Sequence, residues 1–212
     1  MQRDAVVFVH GLWLTGWEFV LLTRRIARAL ACDVHVFRYA SVSSPMGSVA
    51  DELHAFVRRL APSQLHFVGH SLGGLVIYRF LERFPAVAPA RVVFMGSPAV
   101  GSRAARSASR MRWAAALMGR CIAEELATER RREWTFAPPL GVIAGSRAAG
   151  LGRLFARFDE PSDGTVAVSE TRIPGASAHI TLPVSHMGML LSARVAREIA
   201  SFLSQGHFSS RS

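Results

Sequence analysis

The stretch that decides the fold is Val68-Gly69-His70-Ser71-Leu72-Gly73-Gly74. Ahead of it, Leu65 to Val68 is a short apolar run behind the turn-forming Pro62-Ser63; after it, Leu72 to Phe84 carries apolar residues at helical spacing and stops before Pro85. The local reading is strand, tight turn, helix. Gly69 and Gly73 stand two residues to either side of Ser71, where a side chain would keep strand and helix from closing on each other. Such a turn lifts the serine hydroxyl above the carboxyl end of the strand. It also aims the free N–H groups of the helix's first turn at the same point, where negative charge is stabilised. An ordinary serine in a glycine-rich turn fits the same pattern, so its surroundings must discriminate.

Upstream, Ala5 to Val9 is a continuous apolar run of the kind expected in a strand covered on both faces, and it ends in His10-Gly11-Leu12-Trp13. Gly16 to Leu30 has Phe19, Leu22, Ile26 and Leu30 at helical spacing, with Arg24, Arg25 and Arg28 on another side. A strand over Val34 to Tyr39 and a helix from Met46 or Gly47 to Leu60 complete the approach to the serine turn. Beyond it, strands are expected at Val92 to Met95, from Leu140 to the Gly145-Ser146 turn, and at Ser177 to Pro183, with a closing helix from Met187 to Leu203. This alternation specifies an α/β fold of about six mostly parallel strands flanked by helices. It fits one domain over residues 1–206 with a short polar tail at 207–212. Residues 103–135 break the alternation. They are rich in arginine, with Trp113, Leu117, Ile122 and Leu126 at helical spacing, and are expected to form a short helical cap or a plain extra helix.

Four motifs, Val9-His10-Gly11, Gly69-His70-Ser71-Leu72-Gly73-Gly74, Ser162-Asp163-Gly164-Thr165-Val166 and Ser185-His186-Met187-Gly188, resemble those of the lipase and esterase branch of the α/β-hydrolase superfamily. They stand in that superfamily's order of nucleophile, acid and histidine. The resemblance implies a minimal α/β-hydrolase in which Ser71 is the nucleophile on a strained, φ-positive elbow, His186 the base and Asp163 the residue that orients it. It further implies an oxyanion hole made of the backbone N–H groups of Leu12 and Leu72, with His10, Gly11, Gly69, His70 and Gly73 as supporting loop residues. His10 would brace its loop by hydrogen bonding.

Other residues compete for these roles. Asp159 and Glu160 precede Asp163 in the same loop, and His179 is the rival base, although it falls within the last strand rather than in the loop beyond its carboxyl end. Trp13, Leu72, Met187 and Leu190 adjoin the implied site and suggest an acyl pocket without cationic recognition groups; each suits a core position equally well. The implied chemistry is hydrolysis of a small-molecule acyl ester through an acyl-enzyme, with thioester cleavage or acyl transfer as alternatives, and it calls for no cofactor and no metal. A phosphate loop of the G-x-G-x-x-G kind does not fit the glycine spacing, and the next strand ends in Met95-Gly96-Ser97 without the acid that dinucleotide binding needs. A catalytically silent binding module would be expected to lack one of the three side chains, and all three are present.

Composition sets outer limits. The 212 residues are half hydrophobic, enough for a sizeable core, and the formal charge is +10, carried by 25 basic residues that are all arginine. Such a charge permits contact with an anionic membrane surface, but the arginines are scattered and form no nucleic-acid-binding module. Cys32 and Cys121 are far apart, have no metal or redox spacing, and read as reduced, core-like side chains. Without a signal-like leader or an apolar run of about 20 residues, the sequence reads as cytoplasmic.

Overall fold

The computed structural model describes residues 3–99, 132–148 and 159–209. Six parallel strands form one sheet: β1 (Ala5–Val9), β2 (Asp33–Phe37), β3 (Leu65–His70), β4 (Arg91–Met95), β5 (Leu140–Gly145) and β6 (Ala178–Leu182). Their spatial order is β2-β1-β3-β4-β5-β6. Four α-helices flank it among the described residues: α1 (Val20–Leu30), α2 (Met46–Leu60), α3 (Leu72–Arg83) and α4 (Ala193–Gln205).

The strand residues alternate between two cores because successive side chains point to opposite faces of a sheet. Val7 and Val9 pack with α2 and α3 in one cluster, whereas Val6 and Phe8 pack with α1 and α4 in the other. Both faces of the central strands are thereby dry, and β1, β3 and β5 are buried along their whole length. This is the physical reason their sequences are apolar runs rather than alternating ones.

The chain leaves β1 toward β2 on one side, then returns to place β3 on β1's other side. The carboxyl ends of β1 and β3 therefore flank the point where strand order reverses, and a crevice forms there because the two connections diverge. His10-Gly11 and Ser71 emerge at these two ends.

Several boundaries differ from the sequence expectation. The first helical segment opens as a 3-10 turn, Trp17–Phe19, after Gly16 adopts φ 93°, and becomes α-helical only at Val20. The closing segment is not one helix: Met187–Leu190 is a 3-10 turn, and α4 starts afresh behind Ser192, whose side chain accepts the Val195 N–H. Apolar spacing runs across this break, but a serine N-cap resets the hydrogen-bond ladder. Leu190, expected near an acyl pocket, is instead fully buried in the α1/α4 core, and Leu72 is buried in the α2/α3 core. Cys32 is a free, half-buried thiol, and Cys121 lies outside the described residues. The expected cap at 103–135 also lies outside them except for its last four residues, which are irregular, with Arg132 and Trp134 buried.

Candidate active site

Ser71 links β3 to α3 with φ 55° and ψ −122°, a conformation that a side-chain-bearing residue adopts only under strain. Its surroundings impose it. The Ser71 N–H donates to the Met95 carbonyl at 2.9 Å, and the Ser71 carbonyl accepts from Gly74 N–H at 3.1 Å. A methyl group on Gly69 would stand 2.6 Å from the Gly74 backbone, and one on Gly73 would collide with the Val9 carbonyl. The two glycines thus let strand, helix and the neighbouring β1 meet. Leu72, at the first helical position, has no intrahelical acceptor for its N–H.

The histidine and the acid come from the far side of the sheet. Asp163 is 1% exposed, and its carboxylate is fully engaged: Oδ1 accepts the N–H groups of Thr165 at 2.8 Å and Val166 at 2.7 Å, and Oδ2 accepts from Nδ1 of His186 at 2.6 Å. The backbones are tied as well, since His186 N–H donates to the Asp163 carbonyl at 3.0 Å. A carboxylate oxygen can only accept here, so Nδ1 of His186 carries the proton and Nε2 presents its lone pair. Glycines make the space. A methyl on Gly145, at the end of β5, would stand 2.7 Å from Cβ of Asp163, and one on Gly96, at the end of β4, would stand 2.9 Å from Oδ2.

His70 couples this pair to the serine turn. Its Nε2 donates to the His186 carbonyl at 3.1 Å, and the two imidazoles lie 4.7 Å apart between centroids. Burial, reinforced by the neighbouring His186, pushes the His70 pKa well below its ordinary value, so the ring is neutral with an unpartnered Nδ1. Ser71, His186 and Asp163 are therefore gathered around the carboxyl ends of β3, β4 and β5, with Met95-Gly96 touching the serine backbone on one side and the histidine–aspartate pair on the other.

Residues 6–202 match the sequence model of the Alpha/beta hydrolase family. The chain belongs to that family. Family membership agrees with the all-parallel sheet and the reversal of strand order at the serine turn. No curated protein matches the chain by sequence. Among solved structures, a Bacillus licheniformis lipase in its mature form is similar with a TM-score of 0.75 at 18% identity, covering 98% of this chain and 93% of that one. The phospholipase PlaB of Legionella pneumophila gives 0.72 at 14%, over 94% of this chain and 60% of that one. The RedJ thioesterase of the prodiginine biosynthetic pathway in Streptomyces coelicolor gives 0.55 at 17%, over 94% and 85%. Likeness at these identities is likeness of fold.

The rival residues of this hydrolase-family chain lie elsewhere. His179 sits within β6 and donates from Nε2 to Thr171 Oγ1 at 2.9 Å, because that hydroxyl spends its own proton on the Val168 carbonyl. Burial, aided by Arg172, lowers its pKa to about 4. Glu160 accepts a hydrogen bond from Ser169 Oγ at 2.9 Å, and Asp159 is exposed. At the β1 end, His10 is fully buried, and a methyl on Gly11 would stand 3.0 Å from Cβ of Ser71. Sequence reasoning missed Tyr39, whose ring stacks on His10 at 4.3 Å, and the space-making roles of Gly96 and Gly145. For Tyr39 the available signal was an aromatic residue at the end of the expected second strand.

Proposed function

We propose that the protein is a serine hydrolase that cleaves carboxylic acyl esters through an acyl-enzyme on Ser71. The observation that carries the reading is the buried 2.6 Å bond from His186 Nδ1 to Asp163, since it fixes the tautomer that leaves Nε2 free to act as a base beside the serine turn. In this reading His186 takes the Ser71 proton as the hydroxyl attacks the ester carbonyl and returns it to the leaving alcohol. Asp163 stabilises the transient imidazolium. The N–H groups of Leu72 and Leu12 receive the negative charge on the carbonyl oxygen, each worth roughly 3 to 4 kcal/mol in comparable sites. Water then attacks the acyl-enzyme with His186 again as base.

Support for a lipophilic, uncharged acyl group comes from the residues that directly follow two of these positions. Trp13 after Leu12 is 59% exposed and Met187 after His186 is 47% exposed, so an apolar edge borders the proposed site. Such an edge also suits contact with a lipid surface, and no described helix is long and apolar enough to cross a membrane. The same machinery would open a thioester.

A fluorophosphonate probe followed by peptide mapping tests the nucleophile: adduct on Ser71 and its loss in Ser71→Ala are expected. Turnover of p-nitrophenyl esters against matched acyl thioesters, across acyl lengths, then assigns the substrate class. Full ester turnover by Ser71→Ala would refute the proposal.

A further inference from the structure

Large apolar side chains are left in solvent along one part of the rim at the carboxyl end of the sheet. Trp17, in the 3-10 turn that opens the first helical segment, is 68% exposed, and Leu191, between Met187–Leu190 and α4, is 62% exposed. Trp13, Leu21, Val42 and Met187 are exposed as well. Three hydrogen-bonded links gather them. The Trp13 N–H donates to Ser41 Oγ at 3.1 Å, which brings the loop of Val42 beside Trp13. Glu18 accepts the N–H groups of Thr15 at 3.2 Å and Gly16 at 2.9 Å, closing the turn between the two tryptophans. Arg25, one helical turn below Leu21 on the same side of α1, donates from Nη1 to the Leu191 carbonyl at 2.6 Å. The chain accepts strain here too: Trp13 has φ 60°, a backbone that a bulky residue adopts only at a cost, although its indole covers no core.

The charge around this rim has one sign. Segments 10–31, 36–50 and 183–197 contribute Arg24, Arg25, Arg28, Arg38, Arg194 and Arg197 against a single acidic residue, Glu18, whose carboxylate is taken up by its own turn. Arg24 and Arg38 are exposed, and the Arg38 guanidinium lies over the Trp17 ring at 4.4 Å from its centroid. A second copy of the chain fits this surface badly, because a face-to-face pair would set arginines against arginines in a molecule that already carries a charge of +10. A bilayer fits it well. Aliphatic tips belong among acyl chains, indoles at the boundary, and arginines at the level of the phosphates.

We propose that this rim is a docking surface for bilayers rich in anionic phospholipid, on which the protein sits with the carboxyl end of its sheet, and with it Ser71, toward the lipid. Docking goes beyond the serine hydrolase reading and stands without it; only the corollary that acyl substrate is drawn from the bilayer rests on that reading.

Flotation of the full chain with vesicles tests it, using Ser71→Ala protein so that turnover cannot alter the lipid. Vesicles of equal parts phosphatidylcholine and phosphatidylglycerol are expected to bind at least about tenfold more protein than phosphatidylcholine alone, with binding that falls as salt is raised. Adding Trp17→Ala and Leu21→Ala together should lower partitioning by about tenfold, and Arg24→Gln and Arg38→Gln by about fivefold each. These four side chains are outside both cores, so the variants are expected to keep the parent's Tm. Brominated lipid should quench the parent's tryptophan fluorescence, and Trp13→Phe with Trp17→Phe should abolish the quenching while vesicle binding persists. Equal binding to both kinds of vesicle, no binding to either, or quenching that survives in the double Phe variant would overturn the proposal. So would a concentration-dependent dimer in sedimentation that Trp17→Ala with Leu21→Ala dissociates, since a second copy would then be the occupant. Vesicle binding by a chain whose wild type is inert toward every ester and thioester would support docking and sink the hydrolase reading, whereas an active esterase that ignores vesicles would do the reverse.

Discussion

Gly96 faces the Asp163 carboxylate so closely that a single methyl group on its Cα would stand 2.9 Å from Oδ2 and 3.1 Å from Nδ1 of His186. The end of β4 is thus shaped around the histidine–aspartate bond, and its φ of 56° adds a second reason for glycine there. Gly96→Ala carries a left-handed strain of about 1 kcal/mol and displaces the pair. Since displacement of about 1 Å costs on the order of 100-fold in rate, kcat for a p-nitrophenyl ester is expected to fall by that order while the protein stays folded. Wild-type turnover in a folded Gly96→Ala would contradict the reading.

Asp163→Asn separates charge and tautomer from architecture. The variant amide keeps an oxygen to accept the Thr165 and Val166 N–H groups, so the loop closes as before. Its nitrogen, however, replaces Oδ2 as the partner of His186 Nδ1 and favours the tautomer with the proton on Nε2, where no base is then available. Expected outcomes are a Tm within a few degrees of wild type and a kcat lower by about 1,000- to 10,000-fold. A loss below tenfold would point to Asp159 or Glu160 instead.

What could be read from the sequence was what depends on local pattern. The apolar runs of β1, β3 and β5 and the glycines around Ser71 follow from burial on two faces and from close backbone approach, both written in adjacent residues. Asp163 and His186 were found through motif resemblance, and the structure brings them together across 23 residues of chain. The link from His70 to the His186 carbonyl spans 116 positions and that from Tyr39 to His10 spans 29. Which carbonyl or amide a buried imidazole meets is decided by strand order, and no periodicity encodes it. Ser192 is a different kind of miss: its N-cap signal was present, but Met187 to Leu190 continued the apolar spacing and masked the break.

Two glycines make a controlled comparison of space. Gly47, in the first turn of α2, has nothing within 4 Å of a built methyl, so Gly47→Ala trades backbone entropy for helix propensity at no steric cost. A gain of about 0.5 kcal/mol, or roughly 1–2 °C in Tm, is expected. Gly73 has the Val9 carbonyl in the same position and the His10 carbonyl 2.8 Å away. Gly73→Ala must push α3 off β1 and is expected to cost several kcal/mol, read as insoluble protein or a much lower Tm. Equal melting temperatures for the two variants would be incompatible with this packing.

Acid sensitivity should be traceable to His179. In the unfolded chain its pKa is about 6.5, whereas in the fold, burial first and Arg172 second lower it to about 4. Between these values the unfolded state holds more protons than the native one, so unfolding free energy falls as pH drops through this window and rises as pH increases. The contribution is whole above about pH 6.5 and gone near pH 4. His10, His66 and His70, also depressed by burial, add to the slope in the same direction. His179→Gln can still donate to Thr171 but cannot titrate, so its urea midpoint should be close to wild type at pH 8 and should decline less steeply toward pH 4.5. Parallel wild-type and variant profiles over that range would show that His179 is protonated equally in both states, contrary to its lowered pKa in the fold.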